Sequence, residues 1–240
     1  MPDLSLVIPC RNEAERLPAT LAEISRWIGS REAEVVVVVE KGTDRTPEIV
    51  EEASANDSRF RLVANPVARG KGYAVRTGML KASGDIIFFM DADLSVPLKF
   101  VELFLPSFKD GADVAFGSRQ HPESKIVRSQ PIRRVLAGRL FNLCLRMAGA
   151  TTSHDTQCGF KAFRHQASRE IFSRATIDGF GFDVEILALA GALGFRTVEL
   201  PVEWCDAPGS KVQALQDGAK AFAEALHGAH LARQHALENP

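Results

Sequence analysis

The sequence is poor in the features that mark several common protein classes. Its four cysteines, Cys10, Cys144, Cys158 and Cys205, are scattered without a C-x-x-C pair. That excludes a disulfide framework or cysteine-built zinc site as the organising device and reads as reduced, buried thiols. The six histidines show no metal-ligand spacing. No apolar run approaches the roughly 18 residues that a bilayer-spanning helix needs. No basic-then-apolar segment precedes the first apolar stretch, Leu4–Pro9. Neither sign of charge is in excess, with 29 Lys and Arg against 30 Asp and Glu, a net charge of −1. Such a balance offers no general attraction for nucleic acid, so charge-driven binding must be local. Repeats, linkers and low-complexity tracts are lacking too. The expectation is a cytoplasmic chain, at most peripheral at the cytoplasmic face of a membrane.

What is present suffices for one large core. With 240 residues, 45% of them hydrophobic, the chain is long enough for a single α/β domain spanning 1–240. The organising stretch is Gly84–Pro97, GDIIFFMDADLSVP, which sets an unbroken apolar run, Ile86–Met90, directly against Asp91 and Asp93. Such a run reads as a strand buried on both faces, as in a parallel sheet covered by helices, and such sheets bind ligands beyond the carboxyl ends of their strands. Two carboxylates there fit a divalent ion that also grips phosphate oxygens. They fit equally the role of turn formers or helix caps.

The flanking pattern alternates. Strands are expected at Leu4–Pro9, at Glu34–Glu40 with its five consecutive valines, at Arg59–Ala64 and at Ala112–Gly117. Helices are expected through Leu17, Leu21 and Ile24, through Ile49 and Val50, through Ala74 to Leu80, and through Phe100 to Phe104. This βαβα rhythm argues for a doubly wound, mostly parallel sheet. Residues 120–131 read as a mobile polar loop. Ile132–Ala148 reads as an amphipathic helix carrying Arg133, Arg134, Arg139 and Arg146, either core-facing with a solvated basic side or lying on a membrane surface. Asp155–Phe163 enters a strand, Phe182–Gly191 is a helix, Arg196–Val202 is a strand, and a closing helix runs from Val212. Arg69-Gly70-Lys71-Gly72 lets backbone approach an anion, with Lys71 and the following helix N-terminus supplying positive charge.

Taken in order, VIPCRNEAERLP, RGKGYAVRTGML, MDADLSVP, FGSR, DTQCGFKAF, FDVEIL and VEWCDAPGSK resemble family 2 glycosyltransferases of the GT-A fold. Within that family they resemble the dolichyl-phosphate and polyprenyl-phosphate β-glucosyltransferases. The resemblance implies an inverting transfer of glucose from UDP-glucose to a polyprenyl phosphate, with Mg²⁺ or Mn²⁺ as cofactor. It implies a nucleotide-sugar half over about 1–118 and an acceptor half over about 119–240. Asp91 and Asp93 match the metal-binding D-x-D. Pro9, Asn12, Glu13, Glu40, Gly70, Lys71 and Ala92 match the nucleotide-sugar site. Arg11 stands where an aromatic residue is common, and Glu40 where an Asp is usual.

For the acceptor, the resemblance points to Arg119 and Arg133, with Arg128 and Arg134 as further candidates, and to Asp155, Gln157 and Lys161. A lipid phosphate is already anionic at neutral pH, so it needs positioning more than a general base, and a guanidinium grips phosphate through a bidentate fork. Asp183 lies where hydroxyl-acceptor members keep a catalytic carboxylate, so a hydroxyl acceptor with Asp183 as base is the alternative. A nucleotide-sugar-binding protein without turnover is another. If the acceptor is a lipid, the basic helix or the 120–131 loop has to bring the chain to the bilayer.

Overall fold

The valine run Val35–Val39 shows how the chain is layered. Val35, Val37 and Val39 join one apolar cluster, while Val36 and Val38 join a second on the other side. Successive side chains of a strand point to opposite faces, so both faces of this one are dry. Ile87 and Phe89 against Phe88 and Met90 divide in the same way. Each Val, Leu or Phe side chain so buried contributes about 1.5–3 kcal/mol.

The computed structural model describes residues 2–206 and 216–238. In chain order come β1 (Leu4–Cys10), α1 (Leu17–Ile28), β2 (Ala33–Glu40), α2 (Thr46–Asn56), β3 (Phe60–Asn65), α3 (Lys71–Lys81), β4 (Ile86–Met90), α4 (Lys99–Lys109) and β5 (Val114–Ser118). There follow β6 (Lys125–Arg128), α5 (Ile132–Met147), β7 (Phe160–Arg164), α6 (His165–Arg174), α7 (Phe182–Ala192), β8 (Thr197–Pro201), β9 (Glu203–Cys205) and α8 (Gln216–Glu238).

A seven-stranded sheet in the order β3-β2-β1-β4-β7-β5-β8 carries α1 and α4 on one face and α3, α6 and α7 on the other. Every pairing is parallel except those of β7, which runs antiparallel to both β4 and β5. This is the expected doubly wound, mostly parallel sheet, with one reversed strand. The reversal has a consequence for function, because it delivers the segment entering β7, Asp155–Gly159, to the edge where β1, β2, β4 and β5 end. The winding changes direction at β1, whose two neighbours are β2 and β4. A crevice beyond the carboxyl ends is set by that switch.

Two expectations need correction. Residues 120–131 are not loop throughout, since β6 pairs in parallel with β9 in a small second sheet. And α5 does not turn its apolar side inward. It docks through a narrow seam in which Leu145 is buried and Phe141 meets Phe222 of α8 edge-on at 5.8 Å, leaving Ile132, Leu136, Leu140, Leu143 and Met147 exposed. The closing helix is described from Gln216, so the start expected at Val212 lies outside the described residues, as do Ala207–Lys211 of the last motif and the side chain of Arg134.

Candidate active site

Asp91 leaves the end of β4 with its N–H donated to the carbonyl of Gly159 at 3.2 Å. Its side chain is one-third exposed, and Oδ1 lies 2.6 Å from Lys71 Nζ. Two residues on, Asp93 Oδ1 accepts the Ser95 N–H at 2.9 Å while Oδ2 stands 3.7 Å from Arg16. Asp93 therefore forms the turn and also presents an oxygen to the crevice. Ala92 between them is buried, and its carbonyl accepts from Thr20 Oγ1 at 2.6 Å. This residue fixes the pair's backbone from beneath.

Lys71 opens α3, and Gly70 before it has φ 132°, a conformation that favours glycine. A Cβ there would also meet the Asp178 carbonyl at 2.5 Å. The loop is held from two sides. Asp178 accepts from Arg69 Nε at 2.8 Å and Arg76 Nη2 at 2.7 Å, and Glu40 Oε1 accepts the N–H groups of Arg69 and Gly70 at 3.0 and 2.9 Å. Glu40 is only 3% exposed. Glu40, expected in the nucleotide-sugar site, thus clamps the glycine-rich loop through Oε1. Burial works to lower the Lys71 pKa, but the charges of Asp91 and Asp183 outweigh it and hold the ammonium above its ordinary value.

The loop after β1 is tied to the loop after β2. Asn12, with φ 56°, accepts the Thr43 N–H on Oδ1 at 2.7 Å, the Glu13 N–H donates to Thr46 Oγ1 at 2.8 Å, and Asp44 takes the Ala14 and Thr46 N–H groups. Pro9, half-buried in β1, leads into this junction. Arg16, 2.8 Å from Glu13 and 3.7 Å from Asp93, links this junction to the second aspartate of the β4 turn.

On the acceptor side, Arg119 follows β5 and makes a bidentate pair with Asp155, Nε to Oδ2 at 2.7 Å and Nη2 to Oδ1 at 2.8 Å. The Arg119 N–H adds a third bond at 2.8 Å, and Gln157 N–H a fourth at 3.3 Å. Asp155 is 1% exposed, whereas a quarter of the Arg119 side chain meets solvent. Burial would raise the Asp155 pKa, but the Arg119 charge and hydrogen bonds more than reverse this and hold it below the usual carboxylate range. Asp155, expected to bind the acceptor, spends its oxygens on orienting Arg119. Gln157 is half-buried and serves the same carboxylate.

Lys161 is likewise displaced from its expected role. It is fully buried in β7, where Nζ donates to Asp183 Oδ1 at 2.5 Å and to the Cys158 carbonyl at 2.8 Å. No ligand can reach it there. Burial raises the Asp183 carboxyl pKa despite the opposing charges of Lys161 and Lys71. The neighbouring Cys158 thiol is pushed up to about 12 by burial, which keeps it protonated and inert.

A cavity of about 120 Å³ opens beside Arg119, lined also by Ile126, Gly138, Arg139, Asn142 and Trp204. The Arg119 guanidinium lies over the Trp204 ring at 5.5 Å. Arg133 is exposed on α5 and does not line this cavity, whereas Arg139 does. Arg128 is exposed on β6. The sequence pattern missed Arg139 because helix rotation, which periodicity leaves free until packing is known, decides which arginine reaches the rim of this cavity. Gly159 and Trp204 were legible as motif members without a role.

The donor set beside Lys71 consists of carboxylate oxygens, and among the described residues no group of three or more His, Cys, Asp or Glu converges. Two carboxylates alone fit Mg²⁺ or Mn²⁺ shared with substrate phosphates, the arrangement that Mg²⁺ favours, and do not fit an ion held wholly by protein. The ammonium of Lys71 on Asp91 shows that this carboxylate attracts a cation.

A family model described as glycosyl transferase family 2 matches residues 5–172. The dolichyl-phosphate beta-glucosyltransferase of Saccharomyces cerevisiae is 33% identical over 240 residues, covering 90% of this chain and 71% of the relative. That of Drosophila melanogaster is 32% identical over 229 residues, covering 88% and 69%. Among solved structures, glucosyl-3-phosphoglycerate synthase of Mycobacterium tuberculosis, in complex with Mn²⁺, UDP and phosphoglyceric acid, superposes with a TM-score of 0.72 at 20% identity, covering 95% of this chain and 78% of that one.

Proposed function

The chain belongs to glycosyl transferase family 2, and from that premise we propose that it moves glucose from UDP-glucose to a polyprenyl phosphate with inversion at the anomeric carbon. The donor half is assigned to residues about 1–118 and the acceptor half to about 119–240, with both meeting at the shared sheet edge. The observation that carries the reading is the Arg119–Asp155 pair, a guanidinium oriented by a buried carboxylate and facing a cavity whose wall residue Trp204 also lines the small pocket at Asp91 and Gly159. A rigid fork of this kind suits an anionic phosphate oxygen.

Each residue then has a task. Asn12 and Glu13 border the nucleoside, and the clamped Gly70–Lys71 loop meets the diphosphate with the Lys71 ammonium and the N-terminal end of α3. Asp91 and Asp93 would hold Mg²⁺ or Mn²⁺, which when bound offsets the charge developing on the departing diphosphate. Arg119 orients the acceptor phosphate, whose anionic oxygen attacks without a base. The alternative with a hydroxyl acceptor requires Asp183 to take a proton. Its carboxylate is nearly buried and paired to Lys161, which argues against that role.

The test combines donor and acceptor. Calorimetric titration with UDP- and GDP-sugars, with and without Mn²⁺, should give metal-dependent binding of UDP-glucose. Glucose transfer should then go to detergent-solubilised polyprenyl phosphate and not to water-soluble hydroxyl acceptors. Preference for a GDP-sugar would sink the donor assignment, and transfer only to hydroxyls would sink the acceptor.

A further inference from the structure

On α5, the exposed residues Ile132, Leu136, Leu140, Leu143 and Met147 follow one another at spacings of four, four, three and four. At about 100° per residue they form one stripe, about 180° around the helix from the buried Leu145 and about 140° from Phe141. Their exposures run from 47% at Leu143 to 80% at Met147, and Val127 of the adjoining β6 is 66% exposed. Soluble surfaces rarely present so continuous an apolar row without a partner. On the same wheel Arg133 lies about 60° to one side of the stripe's centre, and Arg139 and Arg146 lie about 60–80° to the other.

The charge around the stripe is equally one-sided. Between Ser124 and His154 the chain has six basic residues, Lys125, Arg128, Arg133, Arg134, Arg139 and Arg146, and no Asp or Glu. In a chain of net charge −1 this concentrates positive charge in one segment, with Lys125, Arg128, Arg133, Arg139 and Arg146 at least partly exposed. Among the described residues no helix is long and apolar enough to cross a membrane. An apolar stripe flanked by arginines is the arrangement by which a helix lies in the headgroup layer, with its aliphatic side sunk and its guanidinium groups reaching the phosphates.

We propose that the outer face of α5, with β6, docks on an anionic lipid bilayer, and that the cavity behind it admits the phosphate end of a membrane lipid to Arg119. The first half stands on charge and exposure alone, and the second rests on the acceptor reading above. The cavity lies between the docking helix and the site, since Gly138 and Arg139 of α5 and Ile126 of β6 line it together with Arg119. A second copy of the chain is the poorer occupant, because face-to-face packing would set these like charges against one another.

The experiment is co-sedimentation of the full chain with vesicles of phosphatidylcholine, with and without a third of phosphatidylglycerol. Binding should favour the anionic vesicles about tenfold and weaken as salt rises above about 0.1 M. The variant carrying Leu136→Gln, Leu140→Gln and Met147→Gln should bind about tenfold less, with unchanged melting and unchanged Mn²⁺-dependent UDP-glucose binding. Equal binding by both proteins would overturn the docking surface, and so would a wild-type dimer by light scattering that the variant lacks. Gly138→Leu, at a position where a Cβ meets nothing within 4 Å, should slow transfer to polyprenyl phosphate in vesicles while leaving UDP-glucose binding intact. Unchanged transfer would overturn the cavity route. Wild-type vesicle binding without glucose transfer would instead remove the acceptor reading and leave the docking surface standing.

Discussion

The carboxylate of Asp91 lies against the bare Cα of Gly159, where an added Cβ would stand 2.0 Å from Oδ2. The same glycine accepts the Asp91 N–H, so it sets both the backbone and the side chain of a candidate metal ligand. Gly159→Ala should push the carboxylate aside at a cost of about 1–3 kcal/mol. Metal-dependent UDP-glucose binding should fall about tenfold in titration calorimetry, with a smaller change in binding without metal. Equal affinity in both proteins would show that the contact does not position Asp91.

Asp91→Asn and Asp93→Asn should each abolish metal-dependent turnover while the protein still melts cooperatively. In Asp91→Asn the ammonium of Lys71 loses its 2.6 Å partner, yet the pair is partly solvated and its loss should cost less than about 1 kcal/mol. Full activity in both variants would remove the metal assignment.

Arg119→Ala should cripple use of a phosphate acceptor about a hundredfold, with UDP-glucose affinity changed less than threefold. Arg119→Lys should recover little, because an ammonium cannot reproduce the bidentate geometry with Asp155. An equal loss of donor and acceptor binding would show that the acceptor site has been misplaced.

Asp155→Asn addresses the same pair through stability. Removing one partner of a buried ion pair costs about 3 kcal/mol or more. Because the folded Asp155 pKa lies below the usual carboxylate value, the unfolded chain binds more protons as the solution is acidified. The stabilisation is therefore complete above pH about 4 and fades as pH falls through the folded value. Urea denaturation should show a constant gap between wild type and variant from pH 7 to about 5, narrowing below about 4. A gap that widens on acidification would contradict the shift.

Lys161→Met should destabilise by about 3–5 kcal/mol, since it strands the Asp183 carboxylate in an apolar layer. Lys161→Met with Asp183→Leu should recover most of that loss, measured by denaturant midpoint at constant slope. A double variant no more stable than Lys161→Met alone would mean that the pair's partners, not its charge, decide the cost.

Much of the fold was legible because burial on both faces leaves a local trace. Runs such as Val35–Val39 and Ile86–Met90 need no distant information to be read as inner strands. The aspartates after β4 were equally plain, since a strand end followed by alternating carboxylates places both at the crevice. The short strand β6 was not legible, because its partner β9 lies some 75 residues onward and all four of its residues are exposed. A strand with no buried face carries no alternation to detect.

The amino-acid sequence by itself determined the layered sheet, the order of its first five strands and the residue types at the crevice, because each follows from local periodicity and turn chemistry. Only the tertiary structure decided what those residues do. Glu40 clamps a loop, Asp155 orients Arg119, Lys161 neutralises Asp183, and α5 turns its apolar face outward. Each of these depends on the rotation of a helix or the reach of a side chain across residues distant in sequence, and packing against partners, not local pattern, sets both.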